Sequence, residues 1–578
     1  MKRKYIIIFL SLIILFGVFF RFYQLGNQSY WMDEGYTINA VISGAQNGYS
    51  GGASILDSGG KYFCPLYCYP TQIISQAIGQ NAIAYRLLSA IFGVIFILLA
   101  FFITKIIFKN NAAALLTAFF VSFSYWQIAW SRQARWYTML EVFFWLAFLF
   151  FYLFLLNVPS SGGVARAARD GEGLFPTNLS VKKYSYLALS IIFTILAILT
   201  SNLAYILPLI FFIILLLDKP FKQWFKHKKL LIFSFSFLII FLAFVEYGLG
   251  MHFIAHAIKN ISFHYELPYY LNFYLRNYWL LILIAIYGYF SAPSVIPAQA
   301  GNQSTCVIPA KAGNQSLKKK MAMLAIPFII YLIFLSFFTD IVHYRYLFHT
   351  SLFIYILADV AMFNSPPWRG GAFPLLGGVP VPHRRGGLTR RGGSRSVWIM
   401  AIIIIAVFFL TGEGVIIPKN FYFLEADVPA VVSAKEGNPT QFNRPYYAYT
   451  PQPNFNAAYA AIKNNLKPDE IIISSHPQFT KIFLNQPGYW IKYDYLGIEN
   501  TPNIITNNKE YYVGAEVIDS LDKLKQVLSE AEGGYIIFDY QSTDGRIDPQ
   551  IINYIQTNLQ LFFYNKINSY SQIWVYSF

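Results

Sequence analysis

The run "SYWMDEGYTINA", residues 29–40, follows the first long apolar stretch and sets two carboxylates, Asp33 and Glu34, side by side. Acids at the head of a helix are favoured by its dipole, which is the bland reading of the pair. Opposite a cationic cluster, a carboxylate can instead act as a general base. Such a cluster is legible. "WSRQARWY", residues 130–137, carries Arg132 and Arg135 on one helical face, with Tyr137 beside them. "HYRYLF", residues 343–348, adds Arg345 and Tyr346. Guanidinium groups hold phosphate oxygens in bidentate fashion, so these residues are candidates for binding a phosphate-bearing ligand. Anchoring to ordinary lipid headgroups is the alternative.

Other ionisable residues stand close to the same ends of the apolar runs. Arg86 lies at the outer end of one run and Glu141 just inside another, while Lys61 sits in the first long loop. A buried acid in a membrane span needs a partner, and Arg86 is the one expected for Glu141. In "MHFIAHAIKNISFHYE", residues 251–266, His252 and His256 are one helical turn apart, with His264 and Glu266 nearby. These could ligate zinc or another divalent metal, or be interfacial filler. No resident cofactor is otherwise expected.

The elements that must position these groups are membrane helices. Of 578 residues, 56% are hydrophobic, 19% aromatic and 12% charged. A soluble domain carries about twice that share of charge. Apolar runs fit spans at 5–22, 83–104, 112–130, 138–157, 184–200, 203–217, 230–247, 277–292, 321–338, 347–363 and 397–413. The first, after Met-Lys-Arg-Lys, has no small-residue cleavage site behind it and reads as a retained helix. With a cytoplasmic N-terminus, the opposite loops hold Lys61, Arg132, Arg135, Lys259, Arg276 and Arg345, and the cytoplasmic loops hold a roughly fourfold larger set of Lys and Arg. That bias orients the chain and places Asp33 and Glu34 outside. The net charge of +16 is thus a topology signal and not a nucleic-acid footprint. About eleven spans leave residues 414–578 outside as well.

That tail changes register. "NFNAAYAAIKNNL" reads as a helix and "DEIIISS" as a buried strand, and "DSLDKLKQVLSEAE" with "GGYIIFDY" repeats the order. "PQIINYIQTNL" adds a helix before two strand-like runs. The expectation is a small extracytoplasmic α/β domain, a lid or acceptor platform, with no glycine-rich nucleotide loop. Three inserts, 158–181, 293–317 and 364–396, lack apolar periodicity and read as disordered cytoplasmic loops, either passengers or polybasic lipid contacts. One contains a repeat: "SVIPAQAGNQS" at 294–304 returns as "CVIPAKAGNQS" at 306–316. Three cysteines make no disulfide framework, although Cys64 and Cys68 share one outward loop and could pair.

"YWMDEGYT", "PLYCY" followed by "AYRLLSAIFG", "SRQARWYTML" and "YRYLF", in that order, resemble the polytopic glycosyltransferases of the GT-C fold. The resemblance spans roughly residues 1–360 and is closest to family 39, with the protein O-mannosyltransferases and the ArnT-type aminoarabinose transferases. It implies a domain over 1–413 that transfers a sugar from a polyprenyl-phosphate donor to a lipid, glycan or protein acceptor at the outer face of a bacterial plasma membrane. Inversion at the anomeric carbon, Asp33 as base and Glu34 as its neighbour follow from the same resemblance. Phe63-Cys64 stands before the Pro-Leu pair where family members often have His or Lys, and "TSNLAYILP" (200–208) lacks a basic residue that relatives sometimes carry. Both departures bear on sugar and acceptor.

Two other readings use the same residues. A lipid-linked-sugar flippase would place its ionisable groups near the bilayer midplane. A non-catalytic glycolipid-binding assembly protein would keep the arginines without needing the acid.

Overall fold

The protein is described by a computed structural model over residues 3–43, 65–156, 177–217, 267–291, 317–338, 344–364, a few positions from 402 to 409, and 453–492, 505–506, 508–510, 513–543, 546–566 and 571–578. The span expected at 230–247, almost all of the three inserts, Lys61 and the 251–266 histidine stretch lie outside the described residues. The helices are α1 (Arg3–Phe22), α2 (Met32–Ser43), α3 (Pro65–Ile78), α4 (Ala82–Phe108), α5 (Asn111–Phe123) and α6 (Tyr125–Ser131). They continue with α7 (Tyr137–Leu156), α8 (Thr177–Thr200), α9 (Ile206–Leu217), α10 (Leu267–Ser291), α11 (Leu317–Phe338) and α12 (Ser351–Asn364).

The chain forms two compact units. One comprises Met1–Phe20, Phe92–Ile128 and Tyr137–Val415; the other comprises Arg21–Ile91, Ala129–Trp136 and Ile416–Phe578. Composition changes at residue 413, but the second unit also gathers two earlier stretches, which hydropathy along the chain does not register.

The first unit is a bundle of apolar helices in a polytopic membrane protein. Among the described residues, four helices are long and apolar enough to cross a membrane, and five shorter apolar ones accompany them. Ile7 and Leu15 of α1 remain 55% and 63% exposed, as side chains facing lipid do. The run expected as one span at 112–130 is broken. α5 ends at Ser124, whose backbone is extended, and the Ser124 hydroxyl accepts from Gln127 N at 3.4 Å to start α6. At the other end of α5, the Asn110 side chain caps the helix by accepting from Ala112 N and Ala113 N.

Polar side chains tie the bundle together where lipid supplies no partners. Ser190 of α8 donates to Ala147 O of α7 at 3.0 Å. Thr117 of α5 donates to Asp359 of α12 at 2.6 Å. Gln127 donates from Nε2 to Glu141 Oε1 at 2.8 Å and to Ser351 Oγ at 3.2 Å.

In the second unit the tail folds as expected, an α/β domain. Its strands are β1 (Ile471–Ser474), β2 (Tyr489–Ile491), β3 (Ile505–Thr506), β4 (Lys509–Glu510), β5 (Glu516–Ile518), β6 (Gly534–Asp539), β7 (Gln560–Lys566) and β8 (Gln572–Ser577). The sheet order is β3-β4-β5-β2-β1-β6-β8-β7, with β5, β2, β1 and β6 parallel and the flanking strands antiparallel. Its helices are α13 (Phe455–Asn465), α14 (Pro477–Leu484), α15 (Leu521–Glu530) and α16 (Pro549–Asn558). Three of them start on side-chain caps from Asn454, Ser520 and Asp548.

Alternate residues of a strand face opposite sides, and β1 shows it. Ile473 joins Leu524, Val527, Ile551 and Ile555 in the core under α15 and α16. Ser474, pointing the other way, meets the Tyr459 hydroxyl of α13 at 3.1 Å. Gly488 allows the tight entry into β2: its φ is +64° and an added Cβ would stand 2.5 Å from Ile472 O.

Candidate active site

The first turn of α2 carries the acid pair, and the two acids are held differently. Glu34, the third residue of the helix, reaches back to accept from Trp31 N at 2.9 Å, half of a capping box. Its oxygens also accept from Arg86 Nε at 2.8 Å, Arg86 Nη2 at 2.9 Å and Ala134 N at 2.7 Å. Arg86 then donates from Nη1 to Leu25 O and Gln28 O, and from Nη2 to Ser29 O, at 2.8 to 3.1 Å. All five donors of the fork are thereby used. The pair is buried, with side chains 0% and 1% exposed.

This corrects the expected pairing of Arg86 with Glu141. Arg86 belongs to Glu34, and Glu141 takes the Gln127 amide. A carboxylate with four donors and no open surface is an anchor, so Glu34 joins three segments: the turn at 25–31, the start of α4 and the 129–136 loop.

Asp33 points elsewhere. Its side chain keeps 13% of its surface open, and Oδ2 stands 3.8 Å from Arg135 Nη2. Arg135 also donates from Nη1 to Asp33 O at 3.0 Å and to Thr37 Oγ1 at 3.1 Å, while its guanidinium lies 3.9 Å over the Trp136 ring. A partly open acid beside a fixed cation is an arrangement that can receive a proton while the cation steadies negative charge nearby.

Arg132 does not share this position, although it lies three residues from Arg135. It is 2% exposed and donates from Nη1 to Arg21 O at 3.2 Å and Tyr23 O at 2.7 Å, and from Nη2 to Gln24 O at 3.1 Å. A cation on the last carbonyls of α1 closes that helix end. Tyr137 is buried at the start of α7, in the first unit. Arg345 and Tyr346 lie in a 3₁₀ turn, Tyr344–Thr350, without described side chains.

Lys61 and the metal candidates His252, His256, His264 and Glu266 fall outside the described residues. Among the described residues no three His, Cys, Asp or Glu side chains gather as a metal site requires. Cys68 is disulfide-bonded, and the other two cysteines lie outside the described residues.

Sequence reasoning missed Thr37 and the backbone of Ala134, both of which hold the acid pair in place. Thr37 sits four residues after Asp33 and so on the same helical face, a signal available in sequence. Nothing in the sequence marks Ala134, because its contribution is a main-chain N–H.

The helical bundle followed by an α/β tail is a GT-C fold, shown by its similarity to solved structures. Among solved structures, the chain is similar to ArnT from Cupriavidus metallidurans in the apo state, at 12% identity and a TM-score of 0.54, covering 99% of this chain and 98% of that one. It is also similar to ArnT from the same organism bound to undecaprenyl phosphate, at 13% identity and a TM-score of 0.52, covering 100% and 98%. ArnT is of family 83, which corrects the expectation that placed the ArnT-type transferases in family 39. No family model and no curated protein matches the sequence.

Proposed function

We propose that the protein is a membrane glycosyltransferase that moves a sugar from a polyprenyl-phosphate donor to a lipid, glycan or protein acceptor at the outer face of a bacterial plasma membrane. The N-terminus is cytoplasmic in this reading and the C-terminal domain extracytoplasmic. The observation that carries the proposal is the division of labour between neighbouring acids within a GT-C fold: Glu34 is saturated by four donors, whereas Asp33 is partly open beside Arg135. A similar fold solved with undecaprenyl phosphate supports the donor class.

Asp33 takes the proton of the acceptor as it attacks the anomeric carbon, and the sugar–phosphate bond breaks on the opposite side, with inversion. Arg135 and Arg345, with Tyr346 beside it, steady the charge gathering on the departing phosphate, an electrostatic contribution commonly as large as that of the base. Arg132, bonded to the carbonyls that follow α1, positions the loop that presents Arg135.

The test is release of free undecaprenyl phosphate from a panel of undecaprenyl-phosphate sugars by the purified protein, with membrane extract as acceptor source. Release by the wild type that Asp33→Asn reduces roughly 10²- to 10⁴-fold supports the reading. Binding without release, equal in both proteins, overturns it in favour of a flippase or binding protein.

A further inference from the structure

α2 has two working faces. Asp33 and Thr37 meet Arg135, and Glu34 meets Arg86 and Ala134. Met32, Gly35 and Asn39, at helical spacing, form the other face, and that face lies on the C-terminal domain. Asn39 is buried, and its Nδ2 bridges Gly35 O at 2.8 Å and Gln478 O of α14 at 2.9 Å. Met32 Sδ is 4.0 Å from Arg546 Nη1. Just upstream, Ser29 Oγ accepts from Phe455 N at 3.1 Å, and the Tyr30 ring lies 5.9 Å from that of Phe483.

The contact at Gly35 is the closest. A Cβ there would stand 2.6 Å from Gln478 Cγ and 3.0 Å from Phe479 Cε1. Gln478 is 2% exposed, so its side chain has little room to swing aside. Glycine is a poor residue for a helix interior, and alanine at 35 would be favoured on local grounds. The close approach of α14 accounts for its presence.

The part of the domain that makes these contacts has its own significance. In open α/β sheets, ligands sit beyond the carboxyl ends of the strands where the strand order reverses. Here that point lies between β1 and β6. β1 leads into α14, and Arg546 follows the carboxyl end of β6. The two ends are fastened together: His476, just before α14, pairs through Nε2 with Asp539 Oδ1 at 3.1 Å, and Ser542 donates to the same oxygen. The edge where such a sheet ordinarily holds a ligand therefore grips α2.

We infer that the C-terminal α/β domain is a positioning part of the active site, holding α2 through the Gly35–Gln478 contact and the Asn39 bridge and so setting where the Asp33 carboxylate stands. This rests on the reading of Asp33 as the base. Gly35 and Asn39 are positioning residues, acting through the helix and not on the substrate.

A double-mutant cycle on the full chain in lipid nanodiscs tests it. Gly35→Ala is expected to lower kcat by roughly 10- to 100-fold with little change in KM, since displacements near 1 Å cost about 10²-fold. In a Gln478→Ala background, which lacks the clashing Cγ, the same substitution costs far less. An equal loss in both backgrounds, or no loss, overturns the inference. Thermal unfolding of the same four proteins reads the contact without substrate: Gly35→Ala should lower Tm clearly more beside Gln478 than in the Gln478→Ala background, where the Phe479 contact at 3.0 Å remains, and additive shifts overturn the inference. A wild type that releases undecaprenyl phosphate from no donor counts against the functional reading instead, and the Tm cycle still decides the contact.

Discussion

Glu34 and Asp359 are each 1% exposed, yet the groups that meet them differ in kind. Glu34, in the second unit, receives a guanidinium fork and two backbone N–H groups. Asp359, in the helical bundle, is met by the Thr117 hydroxyl at 2.6 Å. A fully satisfied ion pair keeps a charge buried in one place; a hydroxyl partner ties two helices together in lipid without calling for a second charge. The second unit is thus built to hold fixed charges around the partly open Asp33, while Glu141 and Asp359 of the bundle bond to neutral side chains of neighbouring segments.

The strongest way to break that comparison is at Arg86. Arg86→Ala leaves Glu34 buried without its cation, and should cost about 3–5 kcal/mol, read as a large fall in Tm or loss of folded protein. A variant that unfolds like the wild type would place Glu34 among the neutral-partner acids. In the bundle the effect should be smaller. Thr117→Val removes the hydroxyl from Asp359 and should cost about 1–3 kcal/mol by the same measurement, the range for a buried acceptor left unmet.

The smallest effect is a pH dependence in the C-terminal domain. Burial alone would raise Asp539, but His476, Ser542 and Arg546 outweigh it and hold the carboxyl below the ordinary aspartate range. Stabilisation from a lowered carboxyl is complete above the unfolded pKa, roughly 4, and disappears as pH falls through the lower folded value. Unfolding of wild type against Asp539→Asn should therefore differ at neutral pH and converge in strong acid; a difference unchanged by acid would contradict the assignment.

How much of this could be read in the sequence depended on whether the signal was local. The long apolar runs of α1, α4 and α7 were plain, as were α13, β1, α15, β6 and α16, since length, period and caps all lie within one segment. β2 to β5, at two or three residues each, are too short for periodicity to register. At the site, the acid pair and Arg135 could be picked out by type and by motif order. The partner of Arg86 could not, because 52 residues separate it from Glu34 and only the folded loops choose between Glu34 and Glu141. Arg132 and Arg135 look equivalent in sequence, and only the turn after α1 shows that one serves carbonyl groups and the other faces Asp33.

The proposed mechanism gives the neighbouring acids different work, one reacting and one anchoring. The most direct test compares Asp33→Asn and Glu34→Gln in two measurements, release of undecaprenyl phosphate and thermal unfolding. Asp33→Asn should lose turnover by roughly 10²- to 10⁴-fold with Tm close to the wild type, while Glu34→Gln should lower Tm first and foremost. An Asp33→Asn protein that keeps its turnover, or that unfolds as early as Glu34→Gln, would contradict the account.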